Sequence, residues 1–150
     1  MSSAPLAWSD RLLLGFPEMD ADHRELVERI QALQSAEPAD VAHCLAAFAE
    51  HARRHFDTED RWMRETEFPP RDCHMDEHAA VLKSVAEVQA LVAAGNAAAV
   101  PSLAAALADW FPGHADHLDS ALAAWMSKRR WGARPLVLRR DLKNTAEQTP

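Results

Sequence analysis

The chain has no tyrosine, only four glycines and only two cysteines among its 150 residues, and each shortage narrows what it can be. Two cysteines cannot staple a small fold, so burial must hold it together, which a chain of this length can manage. No basic stretch precedes the apolar residues of segment 1–14, so the N-terminus does not read as a signal peptide. Cys44 and Cys73 are accordingly expected to be free thiols in the cytoplasm, serving as small helix-packing residues. No window approaches the ~18 apolar residues of a transmembrane helix, so no membrane association is expected. With Gly and β-branched residues few and Ala, Leu and Glu abundant, helix is the favoured structure.

Basic residues are concentrated at one end. Segment 128–150 holds seven Lys/Arg against two Asp/Glu, in a chain whose net charge is −7. The body before it is therefore strongly acidic, which argues against a nucleic-acid-binding surface. The extension reads as a plain tail, or else residues 128–143 form an arm for an acidic protein partner.

What is present is helical periodicity. An N-terminal arm (1–17), with Leu12, Leu13, Leu14 and Phe16, is expected to pack across the rest. Apolar residues then recur at three- and four-residue spacing over about 18–34, 39–66, 71–94 and 98–128. The inward faces read as Met19, His23, Leu26, Val27, Ile30 and Leu33; then Val41, Leu45, Phe48, His55, Glu59 and Trp62. The third carries His74, His78, Val81, Leu82, Val85, Val88 and Leu91. The fourth carries Leu103, Leu107, Trp110, His114, Leu118, Leu122 and Trp125. Pro69-Pro70 and Gly95-Asn96 mark turns. Short connections between long helices favour antiparallel neighbours, so the expected fold is all-α: an up-down-up-down four-helix bundle over 1–127, followed by the basic extension. Pro112-Gly113 predicts a kink or bulge just before His114.

Five of the eight histidines fall on these apolar faces: His23, His55, His74, His78 and His114. Burying that many imidazoles is costly unless they are ligands or are otherwise satisfied. His55 and Glu59 are four residues apart, as are His74 and His78, which on a helix is a rotation of only about 40°. Each pair can therefore grip one site. His114 and Asp119 are five apart, about 140° on an ideal helix, and need a distortion to share a face. His43 and His117 read as solvent-facing.

The segments D-A-D-H-R-E-L around His23, H-F-D-T-E-D around His55, H-M-D-E-H-A-A-V-L around His74 and His78, and D-W-F-P-G-H-A-D-H-L-D around His114 resemble the hemerythrins. The likeness is to the small single-domain bacterial members and covers roughly residues 8–127. It implies two iron ions joined by an oxo or hydroxo bridge. His74, His78 and His114 would bind one iron and His23 and His55 the other, with Glu59 and Asp119 bridging both. O2 would bind at the open position of the two-histidine iron. The resemblance also marks Trp110 as a tryptophan kept beside the site, Phe111 as standing where many relatives have a pocket-lining leucine, and His51 as standing where many have a tyrosine. Phe56 and Met63 are either pocket wall or ordinary core, and His51 either a hydrogen-bond partner or a partly exposed polar residue.

Imidazoles outnumber carboxylates in this set, so it stabilises high-valent iron less than carboxylate-rich oxygenase sites do. Reversible O2 binding, as carrier, store or local supply, is the function expected. The alternatives are a di-iron oxidoreductase acting on peroxide or nitric oxide, an O2- or redox-sensing module, and metal handling without O2 chemistry.

Overall fold

The structure, a computed structural model, describes residues 4–131. Five helical segments follow the arm: α1 (Pro17–Gln34), α2 (Val41–Glu65), α3 (Arg71–Ala93), α4 (Val100–His114) and α5 (Ser120–Trp131). A single π-helical turn, Ala115–Asp119, joins α4 to α5, so these form one continuous fourth rod. Short 3-10 turns at Asp10–Leu12 and Pro38–Asp40 precede α1 and α2. The basic extension expected to serve as a tail or interaction arm lies, beyond residue 131, outside the described residues.

Contacts between the rods fix their directions. Phe16 meets Trp62 and Asp22 meets His51, so α2 descends as α1 ascends. Arg53 pairs with Gln89 and Asp60 with His78 across α2 and α3. Glu77 reaches Trp110 and His74 reaches Asp119 across α3 and the fourth rod. Glu18 to Arg130 and His23 to Phe111 close the ring. Every neighbouring pair is antiparallel, and the all-helical bundle is the one the periodicity calls for.

Two apolar plugs fill it. The larger gathers Leu26, Ile30, Leu45, Phe48, Val85 and Leu107 towards one end. The smaller gathers Phe16, Met19, Met63, Phe68, Leu122 and Ala123 towards the other. The five inward histidines, Glu59 and Asp119 lie between them along each rod, all buried. Among the described residues no helix is long and apolar enough to cross a membrane.

The arm packs as expected. Leu6, Trp8 and Leu12 lie against the larger plug and Leu14 against the smaller. Gln34 accepts from the Leu6 N–H at 2.8 Å and donates to the Ala4 carbonyl. Asp20, in the first turn of α1, accepts the Leu14 and Gly15 N–H groups at 2.8 and 3.0 Å.

Three expectations are corrected. α4 runs helical through Pro112, whose ring faces solvent; the irregularity follows His114 instead of preceding it. Leu91 is 41% exposed, because the last turn of α3 reaches the end of the bundle. Cys73 is exposed, since pointing His74 inward turns its neighbour outward by about 100°. Cys44 does pack partly against the core, and both cysteines are free.

The loops that follow α2 and α3 each use a left-handed residue. After α3 it is Gly95 at φ 90°, with the Asn96 N–H returning to the Leu91 carbonyl. After α2 it is Glu67 at φ 54°, with the Phe68 N–H returning to Met63. A side chain there costs about 1–2 kcal/mol that glycine does not. Glu67→Gly is expected to stabilise the protein by roughly 1 kcal/mol, seen as a rise in Tm of about 2–5 °C on calorimetry.

Candidate metal centre

Each inner side chain is delivered by helix register. His23 comes from α1, His55 and Glu59 from one face of α2, and His74 and His78 from one face of α3. His114 ends α4 and Asp119 ends the π-turn. A π-turn closes i→i+5, as the Ser120 N–H does on the Ala115 carbonyl, so it spends more residues on each turn than an α-helix does. That turn puts His114 and Asp119 on one face, with His114 Nε2 3.2 Å from Asp119 Oδ1.

Both carboxylates span two groups of imidazoles. Glu59 Oε2 lies 3.1 Å from His55 Nε2 and 3.4 Å from His23 Nε2. Its other oxygen lies 3.3 Å from His78 Nε2 and 3.6 Å from His74 Nε2. Asp119 Oδ1 faces His74 at 2.9 Å and His114 at 3.2 Å, while Oδ2 faces His23 at 3.1 Å. Two overlapping ligand groups result: Glu59, His74, His78, His114 and Asp119; and His23, His55 and Glu59.

This donor set fits metal ions. Separations near 3.0 Å are the edges of a coordination polyhedron with bonds of about 2.1 Å. His78 Nε2 and His114 Nε2 face each other at 3.3 Å, although a neutral pair oriented by outer Nδ1–H bonds would present two lone pairs there. Glu59 Oε1 and Asp119 Oδ2 are buried beside imidazole nitrogens at 3.1–3.6 Å but without a well-directed hydrogen bond. Unpaired buried anionic oxygens are expensive, and a shared cation removes that cost.

A second layer of carboxylates orients the imidazoles. His78 Nδ1–H donates to Asp60 at 2.8 Å and His114 Nδ1–H to Glu77 at 2.7 Å. His55 Nδ1 lies 3.3 Å from Asp22. Such bonds place the proton on Nδ1 and leave Nε2 free to ligate. The sequence reading assigned no role to these three acids, yet a signal was there. Asp22 adjoins His23, Asp60 adjoins Glu59 and Glu77 adjoins His78. A one-residue step turns about 100°, so each acid faces a histidine of the next rod instead of its own site.

Aromatic rings wall the site. Phe56 stacks on His78 with centroids 4.1 Å apart and belongs to the larger apolar plug, as Met63 belongs to the smaller. Phe111 meets His23 edge-on at 5.1 Å. Trp110 lies against His114 at 4.4 Å and donates its Nε1–H to the same Glu77 oxygen that holds His114. His51 is buried rather than partly exposed, donates to the Asp22 carbonyl at 2.9 Å and stacks parallel to His55. His43 and His117 are exposed, as expected.

Without metal the cluster balances its own charge. Burial opposes a charged imidazole, but Asp119 and Glu59 outweigh it and push His23 up to about 9. The same contest, with Glu59 and Asp22 against burial, takes His55 to about 10; Asp119 and Glu59 take His74 to about 9. Burial works to raise Glu59 and Asp119, yet the surrounding histidines hold both below the ordinary carboxylate range.

Two outcomes follow from this balance. The imidazoles' contribution to stability is complete below their ordinary value of 6.5 and fades as pH rises through 9–10. The Tm of the metal-free protein should therefore fall between pH 6.5 and 9.5, whereas the metal-loaded protein should not show this fall, and metal uptake at neutral pH should release protons measurable in weak buffer.

Comparison with known proteins agrees with this geometry. Residues 14–126 match the model of the Hemerythrin HHE cation binding domain. Over 129 residues the chain is 36% identical to a bacteriohemerythrin of Ralstonia nicotianae, spanning 86% of this chain and 94% of that protein. A match of this extent, on a helical bundle with a buried His/Glu/Asp cluster at its middle, makes the chain a member of the hemerythrin family.

Proposed function

We propose that the seven inward residues hold two iron ions and that this centre binds O2 reversibly, as a carrier, store or local supply within the cytoplasm. His74, His78 and His114 serve one ion, His23 and His55 the other, and Glu59 and Asp119 both. The observation that carries the reading is the placement of those two carboxylates, each turning one oxygen to each imidazole group. A bound ferrous pair supplies two electrons that O2 takes up and gives back.

The chain's own residues set the conditions for reversibility. Five neutral donors against two anions keep the site's charge low. His23 and His55 offer fewer protein ligands than the opposite group, leaving room for a small exogenous one. Phe111 and Phe56, both 1% exposed, exclude water from the side where it would favour loss of reduced oxygen. No nucleophile or spare general base stands among the ligating side chains, so turnover of an organic substrate has no support here.

Anaerobic loading with Fe(II), followed by addition and removal of O2, tests the reading. Visible charge-transfer absorption should appear with O2 and vanish when it is withdrawn, over repeated cycles. Immediate irreversible oxidation, or steady consumption of peroxide or nitric oxide, would transfer the site to a redox enzyme. A protein that takes up zinc but refuses iron would end the O2 assignment.

A further inference from the structure

The two ligand groups are not equally prepared for metal. In the group of His74, His78 and His114, two imidazoles are held from behind by short charge-assisted bonds, Asp60 at 2.8 Å and Glu77 at 2.7 Å. Glu77 is itself anchored, since the same oxygen accepts the Trp110 indole N–H at 2.9 Å. Phe56 stacks flat on His78 and Trp110 lies over His114, so both rings are clamped from a second direction. Five donor atoms of this group lie within 4.8 Å of one another.

The opposite group is looser. His55 has one outer acid, Asp22, at 3.3 Å. The Nδ1 of His23, like that of His74 in the first group, is buried with no partner, so of this pair of imidazoles only His55 is oriented from behind, against two of the three in the first group. With Glu59 and Asp119 shared, the looser group offers two imidazoles where the other offers three.

We propose that the two positions fill in order, the His74–His78–His114 position first, with Glu77 and Asp60 as positioning residues that set its higher affinity. This rests on the two-metal reading above and adds to it a one-metal form of the protein. Preorganised ligands lose less freedom on binding, and an anion behind an imidazole strengthens it as a donor; both effects favour the same half. Glu59 and Asp119 make the order self-consistent. Once the first ion draws in Glu59 Oε1 and Asp119 Oδ1, Glu59 Oε2 and Asp119 Oδ2 stay turned towards His23 and His55 for the second.

The test is an anaerobic titration of the metal-free full chain with Co(II), read by native mass spectrometry for stoichiometry and by calorimetry for affinity. At one equivalent the one-metal species should dominate, with the second step weaker by about tenfold or more. Glu77→Gln, which keeps an acceptor but removes the charge, should weaken the first step by about tenfold. Asp22→Asn should weaken the second step alone. Both acids sit on the rim, 39% and 34% exposed at the side chain, and circular dichroism checks that the variants fold.

Two ions entering together with no one-metal species would overturn the proposal, and that wild-type titration depends on no variant. Equal weakening of the first step by Asp22→Asn and Glu77→Gln would overturn the role of the outer acids. Ordered filling in a protein that does not bind O2 reversibly would leave this inference standing and sink the O2 reading. Simultaneous filling in a protein that does bind O2 would do the reverse.

Discussion

A layer of five imidazoles and two carboxylates, buried between two apolar plugs, is the constraint around which this bundle is organised. A four-helix bundle with apolar residues in that layer would be an easier protein to fold. Here every rod must present polar atoms to the axis, and each must find a partner there or leave a desolvated group unpaired. The metal-free cluster meets the requirement incompletely, by sharing protons between imidazoles and carboxylates and leaving two carboxylate oxygens without a well-directed hydrogen bond. The features around it, from the π-turn to the outer acids, bear on how that layer is positioned.

The outer acids follow one rule around the ring. Asp22 on α1 serves His55 on α2, Asp60 on α2 serves His78 on α3, and Glu77 on α3 serves His114 on α4. Each is one residue removed from an inner ligand of its own helix, so a single helical register supplies a ligand to the centre and a support to the neighbour. The price of such dense use is geometric rigidity: rotating any one rod would displace a ligand and also the support of the next. Close aromatic packing on His78, His114 and His23 adds to that rigidity.

Where the regular helix cannot meet the geometry, the backbone changes period. Residues spaced by four, as in His55/Glu59 and His74/His78, need no adjustment. Residues spaced by five need a wider turn, and Ala115–Asp119 provides it. Pro112 lies just upstream on the exposed side of α4, and the helix runs through it.

The sequence by itself determined the helices, their inward faces and six of the seven ligand-type residues that stand on ordinary periodicity or follow one another at four-residue spacing. Those are properties of a repeating period, and a period is visible without a partner. Asp119 was legible only as a residue type at an awkward spacing; the π-turn that brings it inward depends on how the fourth rod packs against α1 and α3. Asp22, Asp60 and Glu77 stood in the quoted motifs but carried no assigned role, because what they do is defined by a histidine on another helix. The exposure of Leu91 and the burial of His51 were likewise decided by what lies across the bundle. Local periodicity says which way a side chain points, and only the tertiary structure says what it meets there.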